Sequence, residues 1–355
     1  MKSKIEGRNG LSDIELQRWH TALSRVAEVE RQSRKLRSRL LPRTFTYSKR
    51  SAWATEAGLN VLPRDQQHEL PGHGETRARV QAESVLIGKF DVEKEVRLRA
   101  FYPDRTLSVR YQTGGERNGI TRNVKAHEKV HPYAPELMPT IYDHGTIRGG
   151  AGAYLVEDTV VGESATRSQL ESLIVPLAQR LQKVHQGVGI QDRHLSKIVG
   201  GSYRVRWSNF VETQNIDATI DHAVQRLIDR NDLLEVSLTH GDLVNSNILV
   251  NDHDFVLVDW EFAEMKPIAF GMSKMIINVR DLDRVVQDMH SGLGGEIGTR
   301  DGYYTFREQI ALSLVLTLSW HKNHLAKAKI AKRTDALARQ TSKRLSTLKG
   351  LLKIA

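Results

Sequence analysis

The stretch from His240 to Trp260, HGDLVNSNILVNDHDFVLVDW, constrains this chain more than any other part of it. Two apolar runs, ILV at 248–250 and FVLV at 255–258, flank the polar tetrad NDHD, which reads as two short strands joined by a tight turn. A hairpin folds the chain back on itself. It therefore gathers the polar groups at its two ends, Asp242 and Asn247 before the first strand and Asp259 after the second. Each residue alone has a plain explanation: Asp and Asn are turn formers, and a lone His such as His240 is ordinarily a hydrogen-bonded core residue. The weight lies in the combination.

Phosphoryl transfer needs that combination. It proceeds mostly by positioning and charge neutralisation, which takes a carboxylate near the attacking hydroxyl and hard oxygen ligands for magnesium. Asp242 lies two residues after His240 and five before Asn247, and Asp259 follows twelve residues later. This is the spacing of a kinase catalytic loop and metal loop, with Asp242 orienting the hydroxyl, Asn247 and Asp259 holding Mg2+, and His240 supporting the loop. In an extended segment Glu261 would point to the same side as Asp259 and support the metal; a surface ion pair is the equal alternative.

The flanking sequence predicts two lobes. Strands are expected in SVLIGKFD, EVRLRAFY, LSVRYQT, MPTIYDHG and AYLVEDTV, with a helix near 121–131, giving a small antiparallel-sheet lobe over 81–160. From 161 to 355 the pattern is helical, beginning with Leu170, Ile174, Leu177, Leu181 and Val184 on one face and continuing to helices at 304–320 and 325–350. Residues 11–40 read as a helical extension striped by Leu16, Trp19, Leu23 and Val26, a surface for homo-oligomer packing. Residues 41–80 read as linker, which places the domain boundary there. The expectation is an α+β, two-lobed, protein-kinase-like fold with a helical N-terminal extension.

In His240 to Asp242, Asn247 and Asp259 to Glu261, together with YLVEDTVVGE and LAQRLQKVH, the chain resembles the aminoglycoside phosphotransferase and choline kinase-like family over about residues 84–320. The resemblance implies ATP as phosphate donor, Asp242 as catalytic base, Asn247 and Asp259 as metal ligands, and a hinge at Glu157, Asp158 and Thr159 that meets adenine. It also places Arg110 where the family presents a Lys to the phosphates, with Glu128 as the acid offered by the following helix. Arg keeps the charge but not the shape of an ammonium. No GxGxxG precedes Arg110, and TGGERNG after it reads as a turn.

Composition narrows the partners. There are no cysteines, so thiolate metal sites and disulfides are excluded and a reducing cytoplasm is expected. The longest apolar run, IALSLVLTLSW, falls far short of the roughly 20 residues of a membrane span. The net charge is +10, and residues 321–355 carry ten Lys and Arg against the one acid Asp335. A basic chain suits a sugar-like acceptor or glycan that is anionic or lipid-linked better than a cationic aminoglycoside or choline. The C-terminal helix reads either as a surface for an acidic membrane or as a solvated face with Leu337, Leu345, Leu348 and Leu352 turned inward. No nucleic-acid motif accompanies the charge. Two rival readings stand beside the ATP-dependent, hydroxyl-directed kinase: a catalytically weak nucleotide-binding scaffold, and an aminoglycoside or choline kinase.

Overall fold

The computed structural model describes residues 118–147, 152–158, 160, 162–251, 254–277, 279–330 and 333–354, with strand segments at 46–47, 52–54, 84–87, 97–101 and 107–113. The expected helix at 11–40, the loop centre at 114–117 and Thr159 lie outside the described residues. Two compact units emerge, one of residues 1–128 with 138–161 and one of 129–137 with 162–355.

The first unit is built on an antiparallel sheet of strands β1 (Thr46–Tyr47), β2 (Ala52–Ala54), β3 (Ser84–Ile87), β4 (Arg97–Phe101), β5 (Leu107–Thr113), β6 (Ile141–Ile147) and β7 (Gly152–Asp158), in the order β1-β2-β3-β4-β5-β7-β6. The five expected strands are all present. The sheet extends by β1 and β2 into the segment read as linker, because Ala52–Ala54 pair with Val85–Ile87. Helix α1 (Gly119–Val130) starts where the Asn118 side chain accepts the backbone N–H of Thr121 at 2.9 Å. Its Ile120 and Val124, one turn apart, pack on Ala153 and Leu155 of β7. Arg110 pairs with Leu155 in the β5–β7 register, so it shares the sheet face that α1 covers.

In the second unit, strands β8 (Glu163–Ser164), β11 (Ile248–Val250) and β12 (Phe255–Leu257) form one small sheet, and β9 (Gln191–His194), β10 (Leu233–Thr239) and β13 (Glu264–Pro267) form another. Helices follow as α2 (Arg167–Val188), α3 (Leu195–Val199), α4 (Tyr203–Gln214), α5 (Ala218–Arg230), α6 (Ile268–Met272), α7 (Leu282–Gly292), α8 (Phe306–Ser319), α9 (His321–Ile330) and α10 (Thr334–Leu352). The apolar stripe of α2 is buried as its spacing predicts, and a Thr166/Gln169 capping box opens the helix. Helix α8 is buried on nearly every side and forms the centre of the unit. The expected helix at 325–350 is instead two helices, α9 and α10. Leu337, Leu348 and Leu351 of α10 are buried, so this helix packs by one leucine face and leaves Arg339 and Lys343 outside.

Candidate active site

Strand β10 delivers the site. Its residues Leu234–Thr239 are buried, and the chain leaves it through His240 and Gly241. Gly241 turns with φ 77°, and a Cβ there would fall 1.9 Å from the Phe262 carbonyl oxygen, so no other residue fits without moving the backbone. That turn carries Asp242 out of the core to a half-exposed position.

His240 ties the two halves of the motif together. Its Nε2–H donates to the Val258 carbonyl at 2.9 Å, its Nδ1 accepts the Asp242 backbone N–H at 3.4 Å, and its ring lies 4.6 Å from that of Trp260. One nitrogen donates and the other accepts, which requires the neutral ring. Burial pushes its pKa down to about 4, with the Val258 bond opposing the shift, so the ring stays uncharged near neutrality. His240 thus joins the segment after β10 to the one before Asp259.

Asn247 completes the frame. Its Nδ2 donates to the Asp242 carbonyl at 2.8 Å, and its own carbonyl accepts the Val258 N–H at 3.0 Å. Val258 is thus bound through both backbone groups, to Asn247 and to His240. The next residue, Asp259, takes the left-handed conformation (φ 61°, ψ 50°), and residues Trp260–Phe262 form a 3₁₀ turn. The segment is therefore not extended, and the alternation argument that set Glu261 beside Asp259 does not apply; Glu261 is buried within the turn.

Lys274, which no motif singles out, donates from Nζ to Asp242 Oδ1 at 2.6 Å and lies 3.4 Å from the Gly241 carbonyl. It comes from the turn after α6, in sequence with no recognisable pattern. Beside it opens a cavity of about 530 Å³, lined by Gly241, Lys274, Lys266, Arg206, Trp320 and Arg344 among others.

The first unit holds the residues expected to serve the nucleotide. Arg110 is paired with Glu157: its Nη2 donates to Oε2 at 2.8 Å, and its Nε lies 2.6 Å from Oε1 as an ion-pair contact. This corrects the expectation for Glu128, which is exposed on α1. Arg110 and Glu157 lie diagonally on one face of neighbouring strands, close enough for a fork to meet a carboxylate, whereas Glu128 points away from the sheet face that α1 covers. Glu157 is buried and committed to that pair; Asp158 accepts the Tyr142 hydroxyl at 2.8 Å.

No curated protein matches this chain by sequence. Among solved structures it is similar to a choline/ethanolamine kinase family protein from Mesorhizobium loti, with 14% identity, a TM-score of 0.47, and coverage of 82% of this chain and 93% of that one. It is also similar to the aminoglycoside phosphotransferase APH(4)-Ia, with 11% identity, a TM-score of 0.46, and coverage of 75% and 93%. A third is Plasmodium vivax ethanolamine kinase, with 12% identity, a TM-score of 0.45, and coverage of 74% and 81%. The sequence model of the phosphotransferase enzyme family (APH) matches residues 121–302, just over half of the chain and the part that contains His240, Asp242, Asn247 and Asp259. The chain belongs to the phosphotransferase enzyme family.

Proposed function

We propose that this phosphotransferase moves the γ-phosphoryl group of ATP, with Mg2+, to a hydroxyl of a small sugar-like molecule or glycan. The observation that carries the reading is the bond from Asn247 Nδ2 to the Asp242 carbonyl, which braces the proposed base against a proposed metal ligand. The donor set fits magnesium. Because the Asn247 nitrogen is committed to Asp242, its Oδ1, which accepts a long bond from the Ser246 hydroxyl at 3.4 Å and keeps a second lone pair, would join the Asp259 carboxylate in offering the hard oxygens Mg2+ takes. The metal would neutralise charge on the phosphate oxygens.

The remaining steps belong to the protein. Asp242 accepts the proton of the acceptor hydroxyl as that oxygen bonds to the γ-phosphorus; the bond from this phosphorus to the bridging β-phosphate oxygen breaks, and ADP leaves. Lys274 occupies Asp242 Oδ1, which leaves the other carboxylate oxygen for the hydroxyl. The absence of cysteine is consistent with a cytoplasmic enzyme.

The test is ADP release from ATP and Mg2+ across a panel of sugars, glycans and amino alcohols, with Asp242→Ala as control. Turnover that drops at least about 100-fold in the variant supports the reading; undiminished turnover overturns it. A second reading, a nucleotide-binding scaffold with little turnover, is favoured by Arg110 standing at the lysine position and closed onto Glu157. Nucleotide binding with no ADP release over the whole panel would select it.

A further inference from the structure

The cavity beside Asp242 is cationic, and its charges are unequally satisfied. Five basic or potentially basic side chains line it, and among the described lining residues none is acidic. Two of them are already neutralised, since Lys274 bonds to Asp242 and Lys266 bonds to Glu264. Two guanidiniums are not. Arg206 contacts only neutral groups among the described residues: the Ser202 hydroxyl, the Val199 carbonyl at 3.4 Å, and the Trp320 ring, 4.6 Å from its CZ. Arg344, carried in by α10, has no carboxylate partner among the described residues, and burial pushes its pKa down. A half-buried guanidinium without a counter-charge is a cost that an anion removes.

We propose that the acceptor is an anionic small molecule, a phosphorylated or carboxylated sugar-like compound, whose charged group is held by Arg344 and Arg206 while its hydroxyl reaches Asp242. The inference rests on the phosphotransfer reading above and adds its substrate class. The cavity touches Gly241, next to Asp242, Lys274 in the turn after α6, and Arg344 on the last helix, so one ligand filling it meets both ends. Its volume, about 530 Å³, lies in the range of small-ligand sites. Trp320, 43% exposed, and Phe270 give the wall apolar faces for a carbon skeleton. A cationic acceptor would meet like charge here.

The test uses the full chain with AMP-PNP and Mg2+ present to fill the nucleotide site, and titrates inorganic phosphate and malonate calorimetrically into the parent, Arg344→Ala, Arg344→Lys, Arg206→Ala and Lys343→Ala proteins. Lys343 is exposed on the same helix and serves as the control. Thermal melting verifies that each variant is folded. Binding of one or both anions is expected to weaken roughly 10- to 100-fold in Arg344→Ala and Arg206→Ala, less in Arg344→Lys, and not at all in Lys343→Ala; the phosphate and malonate arms tell which anion class is favoured. Absent binding, or binding that is equal in Arg344→Ala and Lys343→Ala, overturns the proposal. Turnover is then compared for glucose 6-phosphate, glucuronate, glucose and choline. Efficient phosphorylation of glucose or choline that ignores Arg344→Ala keeps the phosphotransfer reading and overturns this one. Arg344-dependent anion binding with no ADP release from any acceptor keeps the anion site and overturns the phosphotransfer reading.

Discussion

Lys274 Nζ sits 2.6 Å from Asp242 Oδ1, across 32 residues of sequence. Half-exposed ion pairs contribute little to stability, so this contact matters for orientation more than for folding. Lys274→Met is expected to lower kcat about 10- to 100-fold with little change in melting temperature. In an Asp242→Ala background the same change should cost less than about 3-fold, because the two residues act as a unit. Steady-state kinetics of the double-mutant cycle checks this, and additive losses would show that Lys274 acts independently of Asp242.

Asp259 is held in the left-handed region, where a Cβ-bearing residue is strained and Gly is not. Asp259→Gly and Asp259→Ala should both abolish transfer, since each removes the carboxylate proposed for the metal. The Gly variant should be more stable than the Ala variant by about 1 kcal/mol. Denaturant titration of the pair measures the difference; equal stabilities would mean that the backbone relaxes out of that conformation.

Arg110 and Glu157 form a largely buried pair, 17% and 3% exposed. Removing the cation strands a buried carboxylate, so Arg110→Ala should lose roughly 3 kcal/mol, and Glu157→Gln introduced on top should recover part of it. Arg110→Lys tests the shape requirement. An ammonium cannot reproduce the two-pronged contact, so this variant is expected to lie between parent and Ala in urea unfolding.

His185 and His240 are both buried and both pushed down to about 4, burial being the first cause for each. The unfolded chain binds these protons near 6.5 and the folded chain only near 4, so stability is whole above pH 6.5 and falls as pH drops between those values. Each group accounts for roughly 3 kcal/mol across that window. Melting temperature should fall steeply from pH 6.5 to 4.5, and His185→Gln should flatten the slope. A slope unchanged in that variant would remove His185 from the account.

The hairpin that carries Asp242, Asn247 and Asp259 was legible in the sequence, because two short apolar runs around a polar tetrad fold back locally. The stripe of α2 was legible for a similar reason: an apolar repeat one turn apart needs no knowledge of what it packs against. Strand β9 carries no strand signal in its sequence, since QDRH is polar throughout and becomes a strand only by pairing with β10. The premise that Glu261 extends beside Asp259 failed at a single φ angle, which spacing does not encode.

Local sequence thus determined the β11–β12 hairpin, the strands β3 to β7 and the apolar stripe of α2, all of which follow from short-range periodicity and turn chemistry. Tertiary structure decided which partners complete them. Glu157 rather than Glu128 meets Arg110 because strand register sets the two side chains diagonally on one face. Lys274 reaches Asp242, and Arg344 reaches the same cavity, because the packing of α6, α8 and α10 brings them there, and a lone Lys or Arg in a polar stretch carries no mark of its destination.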